Sequence, residues 1–267
     1  MSSYPIRQIP HNALFALCLG ALLTLPQWSS ANPILGPSAD TRVPDFAALT
    51  DVSQRKQQFF SYLLPVIREI NANILRQRQT LYVIADKLSA SEPIDQAEAE
   101  TFLAIARHFR YRARDVTPSD VAKLLARVDV VPPSLVLAQA ANESAWGTSR
   151  FARIGNNYFG MWCYSVGCGV TPRARPEGHT YEVAAYPSVG ASVASYVRNI
   201  NTNRAYVELR DIRARIRNDN LEPNGVELAE GLMRYSQRGR AYVQEIQALI
   251  LGNDLHRLTP TVSVTQI

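Results

Sequence analysis

The segment that most constrains the fold is a helix-forming stretch that is apolar on almost every side. It opens with the helix start signal Val131-Pro-Pro-Ser134, continues as LVLAQAANESAW and ends at Gly147. Proline in the first turn and glycine after the last turn are typical of helix boundaries. Because a helix that is hydrophobic all round is buried, the sequence predicts a central helix on which the other elements pack.

Glu143 is the one charged residue of this helix and lies in its last turn. Burial and the negative end of the helix dipole both disfavour its anion and raise its pKa. A carboxyl group that keeps its proton near neutral pH can act as a general acid. The alternative is a structural glutamate paired with Arg150 or Arg153, and the residues alone do not separate the two.

Composition and periodicity predict a mainly helical α+β protein with one principal domain. Of its 267 residues 46% are hydrophobic and 19% charged, so the chain can bury a full core and is not disordered. Glycines and prolines divide residues 156–187 into short runs, which predicts a small β-hairpin or irregular β insert. Pro65 predicts a kink or break in the first helix. Helical patterns occupy residues 51–88, 94–110, 117–128, 188–203, 204–218, 225–235 and 239–251.

The N-terminus predicts a cleaved signal peptide. Arg7 precedes the apolar run Leu14–Leu25, and Ser29-Ser30-Ala31 supplies small residues before a cleavage site. A membrane-spanning helix needs about 20 apolar residues, and this run is shorter. We therefore expect cleavage after Ala31, no stable membrane span afterwards and export to the periplasm or elsewhere in the cell envelope. Cleavage removes Cys18 with the signal peptide. A lipoprotein signal would have a small residue before this cysteine, whereas Leu17 is large. The predicted segments are the signal peptide 1–31, an extended linker 32–45, an N-terminal helical segment 46–128, a second domain 129–258 and a loose tail 259–267.

Two cysteines remain in the exported chain. Cys163 and Cys168 enclose four residues, and in an oxidising compartment this spacing predicts a local disulfide. Two free thiols are the alternative. A metal site fits less well, since no histidine or second cysteine pair stands at zinc-ligand spacing. No cofactor is predicted.

The charge balance is mildly basic. Lys and Arg total 28 against 23 Asp and Glu, which gives a net charge of +5, and the cations are spread along the chain. This is too weak a signal for a nucleic-acid-binding protein. It is compatible with work near an anionic polymer or envelope surface.

Residues 138–162, AQAANESAWGTSRFARIGNNYFGMW, resemble the signature of the peptidoglycan glucosaminidase superfamily, glycoside hydrolase family 73. That group includes flagellar-rod hydrolases and bacterial autolysins. Three further strings, CYSVGCG, SYVRNINTNRAYVELR and YSQRGRAYVQEI, resemble its Bax-like branch. The resemblance covers residues 130–255, about half of the chain.

The resemblance implies a lysozyme-like fold, preceded here by the N-terminal helical segment, that binds peptidoglycan strands and cleaves the β-1,4 bond after N-acetylglucosamine. The family's catalytic acid lies in its Ala-x-Glu-Ser-x-Trp-Gly motif and falls on Glu143. Asn142 and Ala145 stand where Leu and Gly are commoner, which affects the packing around the acid. Tyr235 resembles the tyrosine that closes the family's cleft and could orient the acid or the sugar's acetamido group.

Glycoside hydrolysis usually needs a second carboxylate. In several relatives it lies on the hairpin after the catalytic helix. Here the first hairpin strand, near Gly169–Pro172, carries no acid. The candidates are Glu177 at the presumed turn and Glu182 on the returning strand, each of which can equally be a solvated hairpin residue. Otherwise the acetamido oxygen of the substrate takes this role.

Four residues after the catalytic helix suit sugar binding, because sugar rings pack on aromatic faces and hydroxyls need polar partners. They are Asn157, Tyr158, Phe159 and Trp162. Of these, Phe159 is the one we most expect in the core. A series of arginines could meet acidic stem peptides but is more typical of a solvated helix face; it comprises Arg204, Arg210, Arg213, Arg215 and Arg217.

Three other functions compete with the glucosaminidase prediction. A muramidase would cleave the alternate bond of the same polymer, and a non-catalytic glycan-binding or scaffold protein would keep the cleft without a second catalytic group. A cysteine amidase would pair Cys163 or Cys168 with His179, but no Asn or Asp is clearly placed to orient that histidine. Protein partners and oligomeric state are not indicated by the sequence.

Overall fold

The computed structural model of the protein describes residues 42–258. The predicted signal peptide, residues 32–41 of the predicted linker and the predicted tail 259–267 lie outside the described residues. The described chain forms helices interrupted by one small sheet. The helices are α1 Val52–Ser89, α2 Gln96–His108, α3 Pro118–Leu125, α4 Pro133–Ser144, α5 Arg150–Gly155, α6 Val189–Thr202, α7 Val207–Asn218, α8 Gly225–Leu228 and α9 Arg240–Gly252, with 3-10 turns at Arg204–Tyr206, Ala229–Leu232 and Leu255–Leu258.

Helix α1 is the longest element and continues through Pro65 without a break. The Asp51 side chain caps it by accepting a hydrogen bond from the Gln54 N–H at 2.8 Å. Pro65 is exposed, whereas Leu63 and Ile67 on either side of it are fully buried. The proline ring thus lies on the solvent side, and packing of the opposite face against α3, α4 and α6 supports the helix where proline removes a backbone hydrogen bond.

Helix α4 is the predicted central helix, and the structure confirms its burial. Every residue from Ser134 to Ala141 is buried. The helix packs against α1, α8 and α9. It ends at Ser144, earlier than the predicted end near Gly147.

The early end of α4 has a backbone cause. Ala145, Trp146 and Gly147 are consecutively left-handed, with φ of 49°, 59° and 77°. The Trp146 ring packs edge-on against Phe59 and Phe60 of α1, at centroid distances of 5.7 and 5.4 Å. A Cβ on Gly147 would lie 2.4 Å from the Phe46 ring, so only glycine fits there. The N-terminal segment therefore holds the turn that follows α4.

The sheet is small and antiparallel, in the order β1-β3-β2. Strand β1 is Trp162–Cys163, β2 is Gly169–Val170 and β3 is Glu182–Ala184. Cys163 pairs with Glu182, and Val170 pairs with Val183. Strands β2 and β3 are the predicted hairpin, to which β1 adds on the other side of β3. With these helices and this sheet, the predicted mainly helical α+β class is confirmed, and the architecture is consistent with a lysozyme-like domain.

A buried ionic cluster fixes the start of α4. Asp129 is 2% exposed and Arg213 is 1% exposed, and Asp129 also faces Arg78 and Arg217. Burial alone would raise the pKa of Asp129, but the three guanidinium groups hold it below its usual value. Arg213 also donates to the backbone oxygen of Val130 at 2.8 Å. The cluster joins α1 and α7 to the segment leading into α4.

The prediction that the arginine series from Arg204 to Arg217 lies on a solvated helix face is wrong for two of its members. Arg210 and Arg213 are both buried. Arg210 donates to the carbonyl oxygens of Ile200 and Asn203, both at 2.9 Å. These arginines satisfy buried backbone acceptors and are not available to an acidic ligand.

Within residues 42–258 no helix combines the length and hydropathy of a membrane span. Buried residues from both segments, 46–128 and 129–258, belong to one hydrophobic cluster. The boundary between those two segments remains a prediction.

Replacing Ala145 with glycine should stabilise the protein by about 0.5–1 kcal/mol. Left-handed backbone costs a residue with a Cβ roughly 1–2 kcal/mol, and the greater freedom of glycine in the unfolded chain offsets part of the gain. Ala145 is exposed, so little packing is lost. Urea denaturation of both proteins measures the difference.

Ala122→Gly is the matched control, because Ala122 is exposed within right-handed helix α3. There the same replacement should destabilise by about 1 kcal/mol. Destabilisation at both positions would contradict the strain assigned to residue 145.

Candidate active site

Glu143 lies at the C-terminal end of α4 beside an open cavity of about 610 Å³. The cavity is bounded by the loop between α5 and β1, by the loop from Cys163 to Cys168, by α6 and by the segment before α9. Its lining residues are Arg110, Glu143, Phe159, Gly160, Met161, Trp162, Tyr164, Asn199, Asn203, Tyr206 and Tyr235. Among these lining residues Glu143 is the one carboxylate.

A chain of neutral hydrogen bonds holds the Glu143 carboxyl group. The Tyr242 hydroxyl donates to Glu143 Oε1 at 2.8 Å. Tyr242 in turn accepts from Gln139 Nε2 at 3.0 Å, and Gln139 Oε1 accepts from the Tyr196 hydroxyl. Because Tyr242 accepts from Gln139, its own proton is directed at Glu143.

Burial raises the pKa of Glu143 above its usual value. The hydrogen bonds from Tyr242 and Asn142 lower it, but by less than desolvation raises it. Neither arginine of the structural alternative pairs with it: the Arg150 guanidinium donates to the Thr171 carbonyl at 3.3 Å. In residues 42–258 Glu143 makes no ion pair within 4.0 Å. Arg238 acts from farther away and lowers the pKa of Glu143, but by less than burial raises it.

The second carboxyl oxygen, Oε2, faces Gly160. This glycine is left-handed, with φ of 62°, and a Cβ added to it would lie 3.6 Å from Oε2. Glycine at this position puts no side chain against Oε2, and both residues line the cavity. One oxygen of Glu143 is thus held by Tyr242, and the other can reach a ligand.

Tyr235 lies beside the acid without bonding to it. Its hydroxyl donates to the Phe159 carbonyl oxygen at 3.0 Å. Its ring stacks on Tyr242 at a centroid distance of 5.2 Å and an interplanar angle of 9°. Tyr235 lines the cavity, as its predicted position in the cleft requires, but its hydroxyl orients the loop at Phe159 and not the Glu143 carboxyl group.

Two of the four residues predicted to bind sugar are interior. Asn157 is 1% exposed, and its amide nitrogen donates to the Met161 and Ala184 carbonyl oxygens, both at 2.8 Å. Tyr158 is 1% exposed and its ring lies 6.0 Å from that of Phe59. Their polar and aromatic groups are occupied by the protein, so the structure gives them a role in holding the loop.

The other two residues border the cavity. Phe159 is 2% exposed and stacks on Tyr196 at 4.0 Å, as expected for a core residue that also closes the cavity wall. Trp162 is 49% exposed and packs edge-on against Tyr181 at 5.0 Å. Of the four, Trp162 offers the largest free surface to a ligand.

The hairpin carboxylates do not join Glu143. Glu177 is exposed in a turn and does not line the cavity. Glu182 is 6% exposed and accepts hydrogen bonds from the backbone N–H groups of Gly167 and Gly169, at 3.2 and 2.8 Å. Glu182 therefore shapes the loop closed by the predicted Cys163–Cys168 disulfide, which is present in the structure. Cys163, Cys168 and Glu182 lie close together, but both sulfurs form the disulfide, so no thiolate is available there to bind a metal.

Comparison with known proteins places these features in a family. Residues 119–255, just over half of the chain, match the glucosaminidase family model, described as mannosyl-glycoprotein endo-beta-N-acetylglucosaminidase. The chain belongs to the glucosaminidase family. It is also 31% identical over 213 residues to Protein bax of Escherichia coli (strain K12), a match that covers 79% of this chain and 74% of that protein. The predicted Bax-like branch is thereby confirmed. No solved structure matches significantly.

Sequence reasoning missed the residues that hold the Glu143 carboxyl group. Gln139 precedes Glu143 by four positions and so shares its helix face, which is a signal that could have found it. Tyr242 lies in the string YSQRGRAYVQEI, seven residues after Tyr235. Tyr196 gives no local signal, because only the fold brings α6 next to α4.

Glu143→Gln should stabilise the protein at pH 8 and change its stability little at pH 4. Because the folded-state pKa of Glu143 is raised, its ionisation costs folding free energy as pH rises through that pKa. The glutamine oxygen still accepts from Tyr242 but carries no charge. We expect a gain on the order of 1 kcal/mol at pH 8 by denaturant unfolding. An equal effect at both pH values would show that burial does not disfavour the anion.

Proposed function

We propose that this protein is an exported endo-β-N-acetylglucosaminidase that cleaves the β-1,4 bond after N-acetylglucosamine in peptidoglycan, with Glu143 as general acid. The observation that carries the proposal is the half-buried Glu143 carboxyl group, which has no ion-pair partner within 4.0 Å among residues 42–258, is held through Oε1 by Tyr242 and faces Gly160 at the cavity through Oε2. Family membership supplies the reaction class, a glycoside hydrolase.

The hydrogen-bond direction indicates where the proton resides. Tyr242 donates to Oε1, so Oε1 acts as the carbonyl acceptor and the acid proton belongs on Oε2. From there it can pass to the oxygen of the scissile glycosidic bond as the carbon–oxygen bond breaks. Protonating the leaving oxygen in this way is worth roughly 10²–10⁴-fold in rate.

The acetamido oxygen of the substrate is the proposed second group. As the glycosidic bond breaks, this oxygen bonds to the anomeric carbon of its own sugar and forms a cyclic oxazolinium ion. Water then opens the ring and gives its proton to the Glu143 carboxylate, which restores the acid. The support for this route is that the cavity lining, as far as residues 42–258 show it, holds one carboxylate, while Glu182 is used by the disulfide loop.

Exposed aromatic rings suit the sugar chain. Trp162 is 49% exposed and Tyr164 is 77% exposed, and both line the cavity. Asn199 and Asn203 provide amide groups on the facing wall. Aromatic faces for sugar rings and amides for hydroxyl and acetamido groups are the two kinds of contact that a glycan requires.

Action in the cell envelope is part of the proposal. The support is the predicted signal peptide together with the disulfide, because such bonds persist in oxidising compartments. Peptidoglycan, the proposed substrate, is located there as well.

The test is digestion of purified peptidoglycan, with identification of the new reducing sugar. Wild-type protein should release N-acetylglucosamine ends. Glu143→Gln should lower the rate by on the order of 10²-fold or more, because the amide cannot donate a proton, while glycan binding is retained. The matched carboxylate control, Glu177→Gln, should keep its activity.

The remaining outcomes distinguish the competing functions. N-acetylmuramic acid ends would identify a muramidase. Binding without cleavage by the wild type would identify a scaffold protein. Rapid cleavage of de-N-acetylated glycan, together with an inactive Glu177→Gln, would replace the acetamido route with a second carboxylate.

A further inference from the structure

Arg110 brings a positive charge into the cavity from outside the family-matched region. It follows α2 by two residues and precedes residue 119, where the family match begins. It nonetheless lines the same cavity as Glu143. The N-terminal helical segment thus contributes directly to the ligand-binding surface.

The backbone around Arg110 is tightly held. Arg110 is left-handed, with φ of 52°, and the Tyr111 N–H closes the end of α2 by donating to the Ala106 carbonyl oxygen at 2.8 Å. The Arg127 guanidinium donates to the Arg110 carbonyl oxygen at 2.9 Å and lies over the Tyr111 ring. The side chain of Arg110 therefore starts from a fixed point at the cavity edge.

The Arg110 guanidinium is unpaired in the part of the chain that the structure describes. Across residues 42–258 it forms no ion pair within 4.0 Å. A second cation, Arg198 of α6, is half-buried nearby, and its pKa is lowered first by desolvation and then by repulsion from Arg110. Arg198 directly precedes Asn199, which lines the cavity. Two like charges thus repel each other near the Arg110 end of the cavity, and an anion bound at Arg110 would relieve their repulsion.

We propose that Arg110 binds a carboxylate carried by the muramic sugar of the substrate, so that the protein prefers acidic, substituted glycan over neutral N-acetylglucosamine polymer. The inference rests on the proposed function. In peptidoglycan the N-acetylglucosamine units are neutral, and the carboxylates belong to the alternate sugar. They come either from its stem peptide or, where the peptide has been removed, from the lactyl group itself.

Arg110 and Glu143 enter the cavity from different helices, which is consistent with their having separate roles. Glu143 reaches the cavity from the end of α4, whereas Arg110 enters it from the end of α2. A guanidinium group pairs with carboxylates through charge-assisted hydrogen bonds. A ligand spanning the cavity can therefore meet the acid with its scissile bond and Arg110 with its side group.

The test measures dissociation constants for soluble tetrasaccharides in the Glu143→Gln background, which prevents turnover. Three ligands are used: a peptidoglycan fragment with its stem peptides, the same fragment after amidase treatment, which leaves the lactyl carboxylates, and neutral chitotetraose. Arg110→Gln should raise the dissociation constant about tenfold for the fragment whose carboxylate Arg110 contacts. The dissociation constant for chitotetraose should change by less than twofold. The loss should shrink at high salt.

Arg114→Gln is the matched control, since Arg114 is exposed in the same segment but does not line the cavity. It should bind all three ligands as the parent does. Loss with the peptide fragment alone assigns the contact to the stem peptide, and loss with the amidase-treated fragment assigns it to the lactyl group.

Equal binding of all ligands by Arg110→Gln and its parent would overturn the inference, as would an equal loss with chitotetraose. Either result leaves the proposed function standing if the wild type still cleaves peptidoglycan. A wild type that neither binds nor cleaves would refute the proposed function instead.

Discussion

A carboxyl group at the inner end of an apolar helix must be held by a cation, which keeps it ionised, or by a neutral donor, which allows it to keep its proton. In this protein the donor is neutral. Burial raises the pKa of Tyr242 far above its usual value, so its hydroxyl remains protonated throughout the range in which Glu143 titrates. Gln139 and Tyr196 fix the direction of that hydroxyl. The raised pKa of Glu143 therefore depends on burial, and the orientation of its carboxyl group depends on one chain of uncharged groups.

The N-terminal helical segment supports this arrangement from outside the family-matched region. Phe46, Phe59 and Phe60 pack against the left-handed turn that ends α4. At the other end of α4, the Asp129 cluster ties the incoming chain to Arg78 of α1. Since both ends of α4 are anchored in this way, we infer that residues 46–128 help to position Glu143.

How much was predictable from the sequence depended on the range of the interaction. The apolar pattern and start signal identified α4 and its single acid, and the spacing of Cys163 and Cys168 identified the disulfide. Polar residues were harder: Asn157 and Glu182 have the composition of ligand-binding groups but satisfy buried backbone atoms. A residue type does not reveal whether its hydrogen-bonding groups are occupied by the protein or free for a ligand.

The central claim is that burial raises the pKa of Glu143, the proposed general acid, while the Tyr242 hydrogen bond keeps that pKa below the value that burial alone would give. The alkaline limb of kcat/KM against pH tests this claim most directly. The Tyr242 hydrogen bond lowers the pKa of Glu143, so Tyr242→Phe should raise that pKa and move the alkaline limb to higher pH, with a lower kcat. Tyr235→Phe is the control, because the Tyr235 ring stacks on Tyr242 but its hydroxyl bonds to the Phe159 carbonyl oxygen. This variant should leave the alkaline limb in place. An unmoved limb in Tyr242→Phe, or the same shift in both variants, would contradict the account.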